Sequence, residues 1–172
     1  FTQVLLERGA REVIALDVGH DQLAPLVRDD PRVRVVEGVN ARELTPDLLA
    51  EVSGTTESPR IVVADVSFIP LGLVLPALAA VAAAGADFLL LVKPQFEVGR
   101  GGVREGLVRA RAARHDAVRG VLRIAWELGL GTSGVLSSPV VGSSGNQEYL
   151  VHLSAAVGGD PTEWEGAIDA LP

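Results

Sequence analysis

The stretch FLLLVK, residues 88–93, is followed at once by Pro94, and it decides the fold that this sequence predicts. Its unbroken apolar run is typical of a strand buried on both faces, as in a parallel sheet between two layers of helices. Pro94 lacks the N–H group that strand pairing needs, so we expect the strand to end there. Lys93 would then lie at the carboxyl end of the strand, where open α/β sheets bind their ligands.

Lys93 is the only lysine among the 15 basic residues of the chain, and all the others are arginines. Arginine keeps its proton in proteins, whereas a partly buried lysine can lose one and act as a base. Two interpretations of Lys93 follow. It is either a catalytic base or a lysine that occurs by chance in an arginine-rich chain and extends its ammonium group to solvent.

Composition limits the class of protein. The 172 residues are enough for one domain with a sizeable core, and 48% of them are hydrophobic. The chain has no cysteine and three scattered histidines, so we expect neither a disulfide framework nor a metal site. This composition fits a cytoplasmic protein. A net charge of −7 argues against binding nucleic acid by bulk electrostatics, so a polyanionic partner would need local contacts.

Helical and strand patterns alternate along the chain, which predicts an α/β fold with a parallel sheet and crossover helices. We expect strands at 12–17, 33–37, 61–65, 88–93, 132–137 and 148–153. We expect helices at 1–8, 21–28, 46–52, from 66 to about 84, at 107–128 and from about 160 onward. The last two strands would form a hairpin at the sheet edge, joined by the loop GSSGN at residues 142–146.

Acidic residues end two of these predicted strands. Asp17 and Asp65 each follow an apolar run, so parallel strands would bring both to the same edge as Lys93. Glu148 opens the last strand, and an antiparallel last strand would begin at this edge too. An acid in the position of Asp17 can accept hydrogen bonds from the two hydroxyls of a nucleoside ribose. A charge that stabilises a helix N-terminus is an equally common explanation for Asp17.

Two patterns suggest functions that their context does not favour. Residues 129–134, GLGTSG, match the dinucleotide-binding glycine pattern, but they follow a predicted helix and precede a strand, the reverse of the required context. We interpret them as the end of a helix. Residues 66–86 carry no charge and are long enough to cross a membrane. Pro70, Gly72 and Pro76 interrupt them, which favours a helix that covers the sheet.

Basic residues are concentrated in one segment. Half of the arginines lie between residues 100 and 123, where helical spacing distributes them around the helix rather than along one stripe. A solvated helix face is the favoured interpretation. A local phosphate contact is the alternative.

Five runs resemble a known family, in the same order along the chain. They are ALDVGHDQL (15–23), EGVNAREL (37–44), VVADVSFI (62–69), LVKPQFEVG (91–99) and SGNQEYL (144–150). Together they resemble the TlyA-type ribosomal RNA methyltransferases, also called haemolysin A, of the FtsJ-like class of S-adenosylmethionine-dependent 2′-O-methyltransferases. The resemblance implies a Rossmann-like S-adenosylmethionine-dependent methyltransferase fold, with helices on both faces of a mostly parallel sheet whose last strand is antiparallel.

The resemblance also implies catalytic residues. The family uses a tetrad of Lys, Asp, Lys and Glu, and Asp65, Lys93 and Glu148 match its last three members. Lys93 would be the general base that takes a proton from a ribose 2′-hydroxyl, and Asp65 and Glu148 would orient it. We expect the first lysine of the tetrad to lie upstream of this sequence.

The cofactor implied by the resemblance is S-adenosylmethionine. Its binding residues would be Asp17 at the ribose, Asn40 and Ala41 beside the adenine, and Asp65. In the family an S4 RNA-binding domain, a first central strand and a Gly-rich cofactor loop precede the matching part, so we expect an N-terminally incomplete domain. We divide the chain into a methyltransferase domain at residues 1–154 and a short C-terminal helix at residues 155–172.

The function implied by the resemblance is methylation of ribosomal RNA in the cytoplasm, with ribosomal RNA or ribosomal subunits as partners. Two other classes of function stay open. One is a membrane-lytic protein, suggested by the haemolysin name and the uncharged residues 66–86. The other is a non-catalytic folded fragment, which could also form oligomers through an exposed sheet edge.

Overall fold

A computed structural model describes residues 1–99, 103–142 and 145–172. Arg100 of the arginine-rich segment and Ser143 and Ser144 of the predicted hairpin loop lie outside these ranges. The chain divides into two compact units, Phe1–Ser58 and Pro59–Pro172.

The elements follow the predicted alternation. The helices in the described ranges are α1 (Thr2–Glu7), α2 (Pro25–Arg28), α3 (Pro46–Ser53), α4 (Leu71–Val81), α5 (Pro94–Glu97), α6 (Arg111–Glu127) and α7 (Glu165–Ala170). The strands are β1 (Val13–Asp17), β2 (Val33–Glu37), β3 (Ile61–Ala64), β4 (Asp87–Val92), β5 (Gly131–Ser137) and β6 (Tyr149–Ser154). Short 3₁₀ turns occupy Ala41–Glu43 and Pro161–Trp164.

The first unit contains the parallel pair β1 and β2, in a register that joins Val13 to Val33 and ends with Asp17 opposite Glu37. Local sequence sets the limits of α3 in this unit. The hydroxyl of Thr45 accepts a hydrogen bond from the N–H of Leu48 at 3.1 Å and so caps the start of the helix.

The second unit contains a four-stranded sheet in the order β3-β4-β6-β5. β3 and β4 are parallel, whereas β6 is antiparallel to both β4 and β5. The predicted antiparallel last strand is therefore confirmed, and β5 with β6 forms the hairpin at one side of the sheet. Counted over its pairings this sheet is mixed rather than mostly parallel.

The core of the second unit lies between the sheet and α6. Alternate residues of β4, namely Phe88, Leu90 and Val92, are at most 1% exposed, whereas Leu89 is 41% exposed. The predicted burial of this strand on both faces is therefore wrong, and only one face belongs to the core. Val118 and Leu122 of α6 are fully buried against this face, as their helical spacing predicts. Complete burial of each such side chain contributes about 1.5–3 kcal/mol to folding.

Several arginines of α6 contact the C-terminal segment. Arg119 forms ion pairs with Glu165 and Asp169, each at 2.7 Å. Arg111 donates a hydrogen bond to the main-chain oxygen of Leu171 at 2.9 Å. These arginines therefore attach α7 to α6. Their contacts agree with neither of the two interpretations made from the sequence, a solvated helix face or a phosphate contact.

Three predicted helices are shorter than expected. α6, predicted from residue 107, begins at Arg111 after the extended Ala110. α2 begins at Pro25 rather than at residue 21, because Asp21 has a φ of 57° and Ala24 is extended before the proline. α4 begins at Leu71, after the extended Pro70, and ends at Val81. Among the described residues no helix is long and apolar enough to cross a membrane.

The run GLGTSG at residues 129–134 ends a helix, as predicted. Gly129 has a φ of 78° directly after α6, a conformation that favours glycine. Gly131 lies directly against the main chain of Gly158, where a Cβ atom would overlap the neighbouring carbonyl group. Close packing of the two backbones therefore explains why residue 131 is a glycine, and nucleotide binding is not needed to explain it.

Candidate functional site

Lys93 lies where β4 ends. β4 stops at Val92, Lys93 is still extended, and Pro94 begins the one-turn helix α5. The side chain of Lys93 is only 13% exposed, and its amino group lies 2.6 Å from Oδ1 of Asp65. It also donates a hydrogen bond to the hydroxyl of Ser67 at 3.0 Å. The amino group is thus held in one position by the loop that follows β3.

Glu148 lies at the same end of the sheet, one residue before β6. The antiparallel register pairs Val92 with Tyr149, so the next position along brings Lys93 and Glu148 to face each other. On the other side of β6, the main-chain oxygen of Glu148 accepts a hydrogen bond from the N–H of Ser138 at 2.8 Å. This bond extends the pairing of β5 with β6 by one residue. Glu148 is only 6% exposed, so its carboxylate is a buried charge.

Two residues surround the carboxylate of Glu148. The side-chain amide of Gln95 donates a hydrogen bond to its Oε1 at 3.0 Å. Gly142 lies against the same carboxyl group, so closely that any side chain at this position would overlap it. Gln95 comes two residues after Lys93, and α5 therefore connects the lysine to Glu148.

An exposed aromatic residue lies in the loop that carries Asp65 and Ser67. Phe68 is 91% exposed and has a φ of 64°, which is unusual for a residue with a large side chain. Its ring centroid lies 5.2 Å from that of Phe96 in α5, with the rings tilted by 49°. An apolar ring held at the surface in a strained conformation is typical of a functional position.

Glu97 connects α5 to the start of α4. Its Oε1 accepts a hydrogen bond from the main-chain N–H of Leu71 at 2.8 Å. Burial raises the pKa of the Glu97 carboxyl, and the hydrogen bond from Leu71 opposes that shift only in part. Glu97 therefore fixes the loop that carries Asp65 and Phe68, at a cost in desolvation.

We expect Glu97→Gln to change how stability depends on pH. Because the pKa of Glu97 is raised in the folded state, its contribution to stability is fully present at acid pH and is lost as pH rises through that pKa. Glutamine keeps an acceptor for Leu71 but cannot ionise. The free energy of unfolding of the variant, relative to that of the wild type, should therefore increase as pH rises from about 4 to 8. Urea titrations across this range measure the difference, and a constant difference would contradict the prediction.

Asn146 connects the loop after α5 to the segment before Glu148. Its side chain is 3% exposed, accepts a hydrogen bond from the N–H of Val108 at 3.1 Å and donates one to the main-chain oxygen of Gly106 at 2.7 Å. The two bonds satisfy main-chain groups of a loop that also contains an isolated β-bridge between Arg104 and Leu107.

Asp17 ends β1 in the first unit. Its Oδ1 accepts a hydrogen bond from the N–H of Gly19 at 2.7 Å, and its main-chain oxygen accepts one from Val39 at 3.3 Å. The exposed side chain is thus oriented by its own turn, and the ends of β1 and β2 are joined. A carboxylate held in this way suits the recognition of two adjacent hydroxyls.

Asn40 and Ala41 follow β2 in the same unit, and both are half-buried. The side-chain oxygen of Asn40 accepts a hydrogen bond from the N–H of Arg42 at 3.1 Å and caps the turn Ala41–Glu43. This turn lies after the carboxyl end of a parallel strand, the edge at which such sheets bind nucleosides.

The structure thus brings Asp65, Lys93 and Glu148 to one end of the second sheet. Sequence reasoning missed four neighbours of these residues, which are Ser67, Phe68, Gln95 and Glu97. A signal for two of them existed, because polar residues at 93, 95 and 97 alternate with Pro94 and Phe96 in the run LVKPQFEVG. In the described ranges, no group of three or more His, Cys, Asp or Glu side chains could hold a metal ion.

Comparison with known proteins identifies related sequences. Residues 1–155 match the sequence profile of the FtsJ-like methyltransferases. A Mycobacterium tuberculosis protein named 16S/23S rRNA (cytidine-2'-O)-methyltransferase TlyA is 51% identical over 154 residues, which make up 89% of this chain and 55% of that protein. Hemolysin A of Brachyspira hyodysenteriae is 35% identical over 89% of this chain and 62% of its own length. The chain thus spans little more than half of these relatives.

Solved structures agree with the sequence comparison. A protein of Streptococcus thermophilus, provisionally named a hemolysin, has a TM-score of 0.88 at 37% identity, over 98% of this chain and 61% of that chain. A Lactococcus lactis protein with the same provisional name has a TM-score of 0.84 at 41% identity, over 90% of this chain and 72% of that chain. A Burkholderia thailandensis 1,6-didemethyltoxoflavin-N1-methyltransferase with bound S-adenosylhomocysteine shares the fold, with a TM-score of 0.57 at 16% identity over 89% of this chain and 64% of that chain. The predicted methyltransferase fold is confirmed.

Proposed function

Because the chain belongs to the FtsJ-like methyltransferase family, we propose that the protein transfers a methyl group from S-adenosylmethionine to a ribose 2′-hydroxyl of ribosomal RNA. The observation that carries this proposal is the contact of Lys93 with Asp65 at the carboxyl end of the sheet, at 2.6 Å. Relatives named as ribosomal RNA methyltransferases match over most of this chain, which supports the choice of substrate.

Lys93 is the general base in this proposal. A ribose hydroxyl is a poor nucleophile until a base accepts its proton, and a neutral amine can accept it. Asp65 holds the amino group in position, and Glu148 adds a second negative charge at the facing position of the sheet. Both carboxylates also stabilise the ammonium ion that forms when the proton arrives. Much of the remaining rate enhancement comes from alignment of the hydroxyl with the methyl group.

The residues of the first unit suit the cofactor. S-adenosylmethionine supplies an electrophilic methyl group on a sulfonium. Asp17, held by Gly19, would accept hydrogen bonds from the ribose hydroxyls of the cofactor. Asn40 and Ala41, in the turn after β2, would border the adenine.

Phe68 supports an RNA substrate, because single nucleotides are recognised by stacking on exposed aromatic rings. We expect Phe68→Ala to lower kcat/KM for RNA by about 5- to 150-fold, the loss of stacking on one base. Phe68→Tyr keeps the ring and should retain most of the activity. Steady-state assays with limiting RNA measure the effect, and an alanine variant as active as the wild type would exclude stacking on Phe68.

Transfer of a labelled methyl group tests the proposed function directly. The full-length protein is incubated with S-adenosylmethionine that carries a tritiated methyl group and with ribosomal subunits, and the RNA is then hydrolysed in alkali. A 2′-O-methylated ribose blocks cleavage of its own phosphodiester, so the label should appear in alkali-resistant dinucleotides. Label in mononucleotides would indicate a base as the target. Leakage of liposomes without methyl transfer would favour the membrane-lytic alternative.

A further inference from the structure

We propose that Gln95 is a positioning residue that fixes the carboxylate of Glu148 opposite Lys93. This inference rests on the proposed function and extends it to a residue outside the matched tetrad. The amide of Gln95 donates to Oε1 of Glu148 at 3.0 Å, a contact between residues 53 positions apart in the chain. Among the described residues, Gln95 is the side chain that donates a hydrogen bond to the carboxylate of Glu148.

The surroundings of Glu148 leave its carboxylate little freedom. Glu148 is 6% exposed, and the main chain of Gly142 lies directly against the carboxyl group. A buried carboxylate requires hydrogen bonds, because an unpaired buried charge strongly destabilises a fold. Gln95 meets this requirement at Oε1, and Gly142, which lacks a side chain, leaves room beside the same oxygen.

The second polar atom of the Gln95 side chain is left unpaired, which sets a cost in stability against the contact with Glu148. In the part of the chain that the structure describes, the side-chain oxygen of Gln95 is buried and has no hydrogen-bond partner. Such an unpaired acceptor lowers stability, and features that break local rules in this way are concentrated at functional sites. Among the described residues, the side chain of Gln95 thus contacts Glu148 through its N–H group, and its oxygen bonds nothing.

The position of Gln95 links the carboxylate to the base. Gln95 follows Lys93 by two residues, and Pro94 between them is buried. The short segment 93–95 therefore carries both the lysine and Gln95, the residue that holds the carboxylate facing that lysine. Displacement of a reacting group by about 1 Å lowers an enzymatic rate by about 100-fold.

Replacement of Gln95 by methionine removes the donor and keeps the shape. We expect Gln95→Met to lower kcat by about 10- to 100-fold with little change in the KM for RNA or for S-adenosylmethionine. The matched control is Gln147→Met. Gln147 precedes Glu148, but its amide donates to the main-chain oxygens of Ser138 and Glu148, at 3.3 and 3.0 Å, rather than to the carboxylate. The control should change kcat far less, and equal losses in the two variants would overturn the inference.

Gln95→Glu supplies a readout that a merely structural role would not move. The new carboxyl can donate a hydrogen bond to Glu148 only while it holds a proton, and two ionised carboxylates repel each other. The activity of this variant relative to the wild type should therefore be highest at the acid end of the measurable range and fall as pH rises. A ratio that does not depend on pH would count against the contact.

The crystal structure of Gln95→Met separates this inference from the proposed function. If Gln95 positions Glu148, the carboxylate of Glu148 should be displaced or occupy more than one rotamer in the variant. An unchanged Glu148 would overturn the inference. This result is obtained whether or not the wild-type protein methylates RNA, so absence of methyl transfer would contradict only the proposed function.

Discussion

Lys93→Arg should lower the single-turnover rate of methyl transfer by about 100- to 10,000-fold, the usual contribution of a general base. A guanidinium group keeps the positive charge and can still pair with Asp65, but it does not release a proton in proteins. The side chain of Lys93 is 13% exposed, so solvent has limited access to replace it as the base. The variant therefore separates the charge at this position from its ability to accept a proton.

Single-turnover reactions with saturating cofactor and RNA measure the chemical step, since steady-state rates can report product release. Calorimetric titration with S-adenosylmethionine serves as the control and should give similar affinities for the two proteins. Full activity of Lys93→Arg would leave Lys93 only an electrostatic role.

Gly131→Ala is expected to lower the free energy of unfolding by about 3 kcal/mol, the upper part of the range for overpacked sites. A Cβ atom at Gly131 would overlap the main-chain carbonyl of Gly158, and a backbone cannot move aside as a flexible side chain can. The displaced chain would also lose the two hydrogen bonds between Thr132 and Gly159, both at 2.9 Å. Urea denaturation measures the difference.

The matched control for this prediction is Gly120→Ala. Gly120 lies inside α6, where nothing occupies the space that a Cβ atom would take. Alanine is a better helix former than glycine, so this variant should be more stable by about 0.5–1 kcal/mol. A Gly131→Ala protein as stable as the wild type would show that β5 can separate from Gly158 without loss.

The fold could be predicted where a single physical requirement dominates the sequence. The apolar run that ends at Val92 and Pro94, two residues later, determine where β4 ends. The observed strand is Asp87–Val92. Helix limits were harder to predict, because α2 depends on Asp21 adopting a positive φ, which no periodicity indicates. Hydrophobic spacing describes which face is buried, whereas the ends of helices depend on individual backbone conformations.

The site could be predicted in part. Parallel strands end at one edge, so the proximity of Asp65 and Lys93 follows from two apolar runs that each end in a charged residue. The contacts of Gln95 with Glu148 and of Glu97 with Leu71 do not follow from such patterns. They depend on the chain turning into one helical turn at Pro94, which directs alternate side chains to three different elements.

The place of β6 in the second sheet has a consequence for how the protein is synthesised. β6 lies between β4 and β5 and pairs with both, yet it is the last of these three strands to leave the ribosome. Until residues 149–154 emerge, β4 keeps an unpaired edge and β5 has no strand to join. Glu148 directly precedes β6, so it takes its position opposite Lys93 when β6 pairs with β4. A nascent chain therefore cannot complete this sheet without also completing this part of the site.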